Sequence, residues 1–419
     1  MAIETHAFRR ARQIKSPREL LRAVFSYAVA DYSLREVAAL LTGEHRWISD
    51  QAVHERLSNC GAWLETLLAH LLGEKATQVS SQIGRSLKIV DATILTCPAA
   101  RGTDYRLHLC YEPISQSSCG VKLTDVKGAE RFTHFDYDPL DIVLGDRIYG
   151  TAKHIIKVIA QGADVLVRQS LQQLGLYTQA GERVDWQELL IKAQATGRLL
   201  LEAYIRDAEG QQAKVFIVGQ RLREAEIESA RRQVKRSASD KGHKTRAATL
   251  LAGEWLTVLT TLGPAELSAE MILQLYRVRW HIELYIKCLK SILKLGQLRA
   301  SRGSQLARVH LLAKMISALV VETVAVERLG REWRQMTRGR RGTWFRVWKM
   351  IRDELTETIS GTSDWQAWQW RLMLKVIWER RRKRKLQRLS KQVISWLHES
   401  PSSKLTRTSN QPSLIHLAA

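Results

Sequence analysis

The hydrophobic period of the chain changes at Leu87 and changes back after Pro264, and no other feature restricts the fold as much. Before Leu87 the apolar residues recur at helical spacing. Ser16-Pro17-Arg18-Glu19 reads as a capping box with proline at the first helical position, followed by Leu20, Leu21, Val24 and Phe25 on one face. Ser33-Leu34-Arg35-Glu36 is a second capping box, opening a short helix through Leu41, with Gly43 placed as its C-terminal cap. A third helix begins near Ser49 and carries Val53, Leu57 and Leu64 on one side. Short helix, glycine turn and longer helix is the rhythm of a helix-turn-helix, which plain helical bundles also produce.

From Leu87 the runs are short and alternating: 87–95, 105–111, 121–124 and 141–146, with a helix over 151–161. Further strands are expected at 164–168, 200–206, 214–219 and 254–262, with a very polar basic loop at 221–246. One long helix is expected from about Ser268 to Leu295, and the remainder reads as helical, with tryptophan and basic residues interleaved. Strands enclosed between helical ends point to a mixed α/β layer domain with helical N- and C-terminal regions.

Lysine plus arginine number 65 against 42 aspartate plus glutamate, a formal charge of +23. Such an excess on a chain that is 45% apolar points to a globular protein with a polyanionic partner, most often nucleic acid, although a simply basic protein has the same balance. The five cysteines (Cys60, Cys97, Cys110, Cys119, Cys288) form no CxxC pair, which argues for a reducing compartment and against a zinc ribbon. No membrane segment is expected, because the apolar stretch Met315–Val326 is broken by Glu322 and preceded by Lys314. The N-terminal residues contain no apolar run of the kind a secretory signal needs.

Three positions could carry chemistry. Asp91 lies in the middle of an apolar strand, where a carboxylate must be paired, protonated or bound to a cation unless it faces an edge. Asp146 closes another apolar run, at the strand end where α/β sites gather, or is an ordinary turn aspartate. The helix after Pro264 carries Tyr276, Arg279, Glu283 and Lys290 within about 60° of arc if it is continuous, a stripe about 21 Å long. Such a stripe is either an ion-paired surface or a metal-binding glutamate among phosphate-holding cations.

The string Y-x2-R-x3-E-x6-K, formed by these four residues, resembles the signature of the insertion-sequence-four family of bacterial DDE transposases, which includes the transposase of composite transposon number five. Asp91-Ala92-Thr93 on the first strand and Asp146 on a later one agree with the family pattern, as does Trp255 leading the strand upstream of the signature helix. Ile148 stands where the family often has a small residue. The resemblance covers roughly residues 15–330.

The resemblance implies an RNase H-like core, a five-stranded mixed sheet with helices on both faces, interrupted by a β-rich insertion. The corresponding divisions are a helical DNA-binding domain at 1–82, core at 83–164, insertion at 165–262, core with the signature helix at 263–330, and a basic helical region at 331–419. It implies that Asp91, Asp146 and Glu283 are catalytic and bind two divalent metal ions, Mg2+ with Mn2+ tolerated. Tyr276, Arg279 and Lys290 would hold DNA phosphates and Trp255 would stack a flipped base. The partners implied are double-stranded DNA, both terminal inverted repeats and target, and a second copy of the chain, as a dimer on paired ends. The expected reaction is cleavage at the element ends and 3′-hydroxyl strand transfer, in a cytoplasmic, nucleoid-associated protein. A non-transposing RNase H-like nuclease and an inactive DNA-binding repressor are the rival readings.

Overall fold

The computed structural model describes residues 1–43, 47–80, 84–98, 102, 104–169, 174–240, 242–329, 340–342, 344–365, 378–380 and 389–399. Four helices come first: α1 (Pro17–Ala28), α2 (Leu34–Leu41), α3 (Asp50–Ser58) and α4 (Gly61–Ser80). Their starts follow the local chemistry. The Ser33 hydroxyl accepts from the Glu36 amide at 3.2 Å and the Glu36 carboxylate accepts from the Ser33 amide at 2.6 Å, closing the capping box. Gly43 does not cap α2: Thr42 ends it in an extended conformation (ψ 134°). With the end extended at Thr42, no left-handed cap residue is needed.

Eight strands and five helices follow in the order β1 (Ser86–Leu95), β2 (Tyr105–Glu112), β3 (Ser117–Asp125), β4 (Asp141–Gly145), α5 (Ala152–Ala160), β5 (Asp164–Arg168), α6 (Trp186–Ala193), β6 (Arg198–Arg206), β7 (Gln212–Arg221), α7 (Glu224–Ser239), α8 (Ala247–Gly253), β8 (Trp255–Thr260) and α9 (Ala269–Arg277). Then come α10 (Trp280–Ser291), α11 (Gln305–Leu329), β9 (Arg340–Gly342), α12 (Trp344–Ser360), β10 (Trp378–Arg380) and α13 (Lys391–His398).

The first eight strands form one sheet in the order β3-β2-β1-β4-β5-β8-β7-β6. It is mixed: β1–β4 and β4–β5 are parallel, and the other neighbours are antiparallel. The sheet therefore has eight strands instead of the expected five. The β-rich insertion is not a separate layer, because β8 pairs with β5 (Val167 opposite Leu259) and covers an edge that would otherwise stay open. β5 spans the expected boundary at 164/165 and runs parallel to β4 in the middle of the sheet.

Alternate residues of the central strands enter two cores, one on each face. Leu87, Ile89, Ile142, Leu144 and Leu166 join a cluster that includes residues of α1 to α4 and α9 to α13. Val90, Val143, Val165 and Val167 join a second cluster with α5 and α6. All five residues of β4 are buried, as a strand covered on both faces requires.

Three expectations are corrected here. The polar stretch 221–246 contains α7, a 16-residue helix with Ile227 as its buried residue, and is not a loop. Arg221 and Arg223, just before it, pair with Glu224 and Glu226 of its first turn, and Arg231 anchors it to buried Glu254. The helix expected over 268–295 is divided at Val278-Arg279, where hydrogen bonds run from each amide to the carbonyl three residues back (Arg279 to Tyr276, Ile282 to Arg279). The C-terminal part is not wholly helical, since β9 and β10 pair antiparallel. Of the basic region expected at 331–419, residues 331–339, 343, 366–377, 381–388 and 400–419 lie outside the described residues.

Glu322 and Lys314, which interrupt the apolar face of α11, are both 1% exposed and both engaged. The Ser118 amide donates to Glu322 Oε2 at 3.1 Å, and Lys314 Nζ donates to the Lys294 carbonyl at 2.9 Å. Tyr285 of α10 stacks on Tyr111 of β2 and meets Trp348 of α12 edge-on, at centroid distances of 4.8 and 5.6 Å. These contacts fix α10 against the sheet. Among the described residues no helix is long and apolar enough to cross a membrane.

Candidate active site

The parallel register of β1 and β4 positions the first two carboxylates. Ile89 stands opposite Leu144, and Asp91 and Asp146 each lie two residues further on, so they reach the same level on adjacent strands. Asp146 follows β4 directly and opens a 3-10 turn, Arg147–Tyr149. Gly145 before it is required by close approach: a Cβ there would lie 2.6 Å from Phe132 Cζ and 2.9 Å from Tyr149 Cβ. The turn packs on aromatic rings with no space for a side chain at that position.

Glu283 comes from the first turn of α10. Arg279, at the step between α9 and α10, links it to the strand: Nη1 is 3.7 Å from Asp91 Oδ2 and Nη2 is 2.5 Å from Glu283 Oε1. The step explains the reach. A shortened turn at Arg279 lets one guanidinium span a carboxylate on its own helix and another on the sheet.

Burial pushes the Asp91 carboxyl up to about 6, although the Ala92 amide (2.8 Å from Oδ1) and Arg279 oppose the shift; Glu130 and Asp146 add to it. Burial raises the Tyr276 hydroxyl to about 12, with Arg279 pulling against it and Asp146 with it. For Arg279 burial works against the charge, but Tyr276, Glu283 and Asp146 outweigh it, so its pKa is raised. Asp91, Asp146, Glu283, Tyr276 and Arg279 therefore form one electrostatically linked group.

Three members were not legible in the sequence. Glu130, in the β3–β4 connection, pairs with Arg106 at 3.8 Å and raises Asp91 more than Asp146 does. Arg147 follows Asp146 directly and has its pKa lowered by burial and by Arg168, which ends β5. No spacing rule marks a lone glutamate in a connection or the last arginine of a strand; adjacency in the sheet places them.

Two expected residues stand apart. Lys290 is exposed in the last turn of α10, about 10 Å along the axis from Glu283. Trp255 opens β8 opposite Arg221 and is 3% exposed within the second core cluster, so in this conformation its ring presents no face to a base.

Among the described residues no three His, Cys, Asp or Glu groups stand close enough together to hold a metal ion. The donor chemistry nonetheless fits a hard divalent cation: all donors are carboxylate oxygens, and Arg279 already supplies positive charge between two of them.

Asp91 within β1 and Asp146 just after the parallel β4 stand at one level, with Glu283 on α10 joined to them through Arg279. Residues 82–320 match the family described as Transposase DDE domain, and the chain belongs to that family, as a DDE transposase of bacterial insertion sequences. It is 30% identical over 326 residues to the putative transposase InsL for insertion sequence element IS186A of Escherichia coli strain K12, covering 76% of this chain and 87% of the relative. The transposase for insertion sequence element IS421 of Escherichia coli is 30% identical over 327 residues, with the same coverage. Among solved structures, a cryo-EM piggyBac transposase synaptic complex with hairpin DNA aligns over 90% of this chain and 80% of its own, with TM-score 0.41 and 7% identity.

Proposed function

We propose that this chain is a cut-and-paste transposase of the insertion-sequence-four type, with Asp91, Asp146 and Glu283 as its catalytic carboxylates. The observation that carries the reading is the linkage of Asp91 and Glu283 through Arg279, beside Asp146 at the same strand level. The order β3-β2-β1-β4-β5, with the first three antiparallel and the last two parallel to β1, is consistent with an RNase H-like core that the insertion extends.

The three carboxylates would hold two divalent ions, magnesium or manganese, whose chemistry is Lewis-acid activation of the attacking and leaving oxygens. The protein's own groups then have distinct tasks. Arg279 and Tyr276 hold the scissile phosphate's non-bridging oxygens, and Arg147 and Arg168 extend the basic rim at the strand ends. Lys290, two turns along α10, holds a phosphate further along the strand. Water serves as nucleophile in the first step and frees a 3′-hydroxyl at the element end, and that hydroxyl attacks target DNA in the second. α2 and α3 read the terminal inverted repeats. Two copies act on paired ends, because both ends must reach one target.

The test is cleavage of duplexes that carry the element's own ends, in magnesium or manganese. Asp91→Asn, Asp146→Asn and Glu283→Gln should each abolish nicking and leave end binding nearly intact. Wild-type cleavage by any one of them overturns the assignment. Equal cleavage of plain duplex and of duplex with element ends would mean a non-transposing nuclease instead.

A further inference from the structure

A cavity of about 540 Å3 opens between the N-terminal helices and the segment that leads into α11, away from the carboxylates. Its lining includes Tyr27, Arg35, Asp50, His54, Arg299 and Ser301. Tyr27, which lines the cavity, is 3% exposed, and its hydroxyl makes no hydrogen bond among the described residues. A hydroxyl that makes no hydrogen bond to the protein can donate to a ligand or water in the cavity.

The cationic side of the cavity is built with care. Asp31 is held in a left-handed conformation (φ 62°), unusual for a residue with a side chain. Its carboxylate is 2.6 Å from Lys294 Nζ and 4.0 Å from Lys314 Nζ, and its carbonyl accepts from the Arg299 guanidinium. Arg299 is thus fixed through backbone, and its charge also acts on the Asp31 and Glu36 carboxylates. Across the cavity Arg35 is 3.2 Å from Asp50, and both are solvent-accessible (side chains 89% and 45% exposed), so a stronger anion can displace the pair. α2, α3 and α11 all begin at this cavity and add the positive ends of their dipoles.

We infer that this cavity binds a backbone phosphate of the transposon-end DNA, clamped between Arg35 of the end-reading helices and Arg299 of the core, with the Tyr27 hydroxyl donating to a phosphate oxygen. The inference rests on the proposed transposase reading and makes it more specific: one DNA strand is held at once by the N-terminal helices and by the core. End recognition is thereby coupled to the body that carries α10.

Fluorescence anisotropy of the full chain tests it, with duplexes carrying the element's own end or an unrelated sequence, across a salt series. Arg35→Ala should weaken end binding about tenfold and reduce the slope of log K against log salt by about 0.9, the value for one lost phosphate contact. Tyr27→Phe, which keeps the ring, should weaken binding about tenfold with an unchanged slope. Ser301→Asp should weaken it comparably by repulsion. Variants matching the wild type in affinity and slope overturn the inference. It is also overturned if the variants lose thermal stabilisation by inorganic phosphate but bind duplex normally, since the cavity then serves a free anion. A wild type that binds both duplexes equally overturns instead the end-recognition reading beneath it.

Discussion

The Arg279 guanidinium stands 3.7 Å from the Asp91 carboxylate, joining the step between two helices to the middle of the first strand. The same side chain donates to Glu283, so two of the three proposed catalytic carboxylates share one cation. Arg279→Lys keeps the charge but loses the planar fork that reaches both. Losing one charge-assisted hydrogen bond, about 1.5–3 kcal/mol, should slow cleavage about 10–100-fold. Single-turnover cleavage rates, with end binding measured in parallel, check this; an unchanged rate would show that the bridge has no catalytic role.

Asp91 places stability and function in opposition. Its carboxyl titrates near 6 in the folded chain against 3.8 for an unperturbed aspartate. Between those values the folded state binds more protons than the unfolded state, so stability falls as pH rises through that window. The loss is complete above pH 6 in metal-free protein. Asp91→Asn removes the buried charge and should stabilise the chain at pH 7.5 by an amount on the order of 2 kcal/mol. Near pH 3, below both values, the gain should vanish. Thermal melts in chelator at the two pH values decide it, and a destabilised variant at pH 7.5 would contradict the sign.

Gly145 is confined by Phe132 and Tyr149, with a Cβ excluded at 2.6 Å. Gly145→Ala must displace the turn that carries Asp146, and overpacking of this kind costs about 1–3 kcal/mol. Denaturant unfolding should show that loss, and cleavage should fall further than end binding. A variant with wild-type stability would mean that the turn yields easily.

Glu254 is buried between Arg221 and Arg231, with Nε of Arg231 at 3.0 Å and Nη2 of Arg221 at 3.2 Å. Ile227 is the buried residue of α7, and this ion pair ties that helix to the residue that leads into β8. Glu254→Gln should weaken the tie by about 1–3 kcal/mol. Amide hydrogen exchange over 224–239 should speed up about 5–100-fold while the central strands keep their protection. Uniform acceleration throughout the chain would show instead that Glu254 supports the whole fold.

The helices and strands that carry their own signals were legible from residue types. Ser16, Ser33 and Ser49 cap helices because a hydroxyl beside free amides acts locally. The strands at 87–95, 105–111 and 141–146 could be read from alternation and apolar runs. α7 was not, because one buried isoleucine gives no apolar stripe, and its ties are to Glu254, which is distant in sequence. The division at Arg279 was hidden for a related reason: the α9 and α10 sequences are helical throughout, and packing sets the shortened turn.

The residue types of the proposed site could be read from the sequence: a carboxylate inside an apolar strand, another at a strand end, and the Tyr276–Lys290 string. Only the tertiary structure decided which of these groups share a field. It brought Glu130, Arg147 and Arg168 to the strand ends, and left Lys290 and Trp255 outside the group formed around Arg279. It also joined the insertion to the central sheet and placed Tyr27 and Arg299 on one cavity wall. The physical reason is range. Capping, periodicity and propensity act over a few residues, whereas burial and Coulomb interaction depend on distances that strand pairing and packing alone establish.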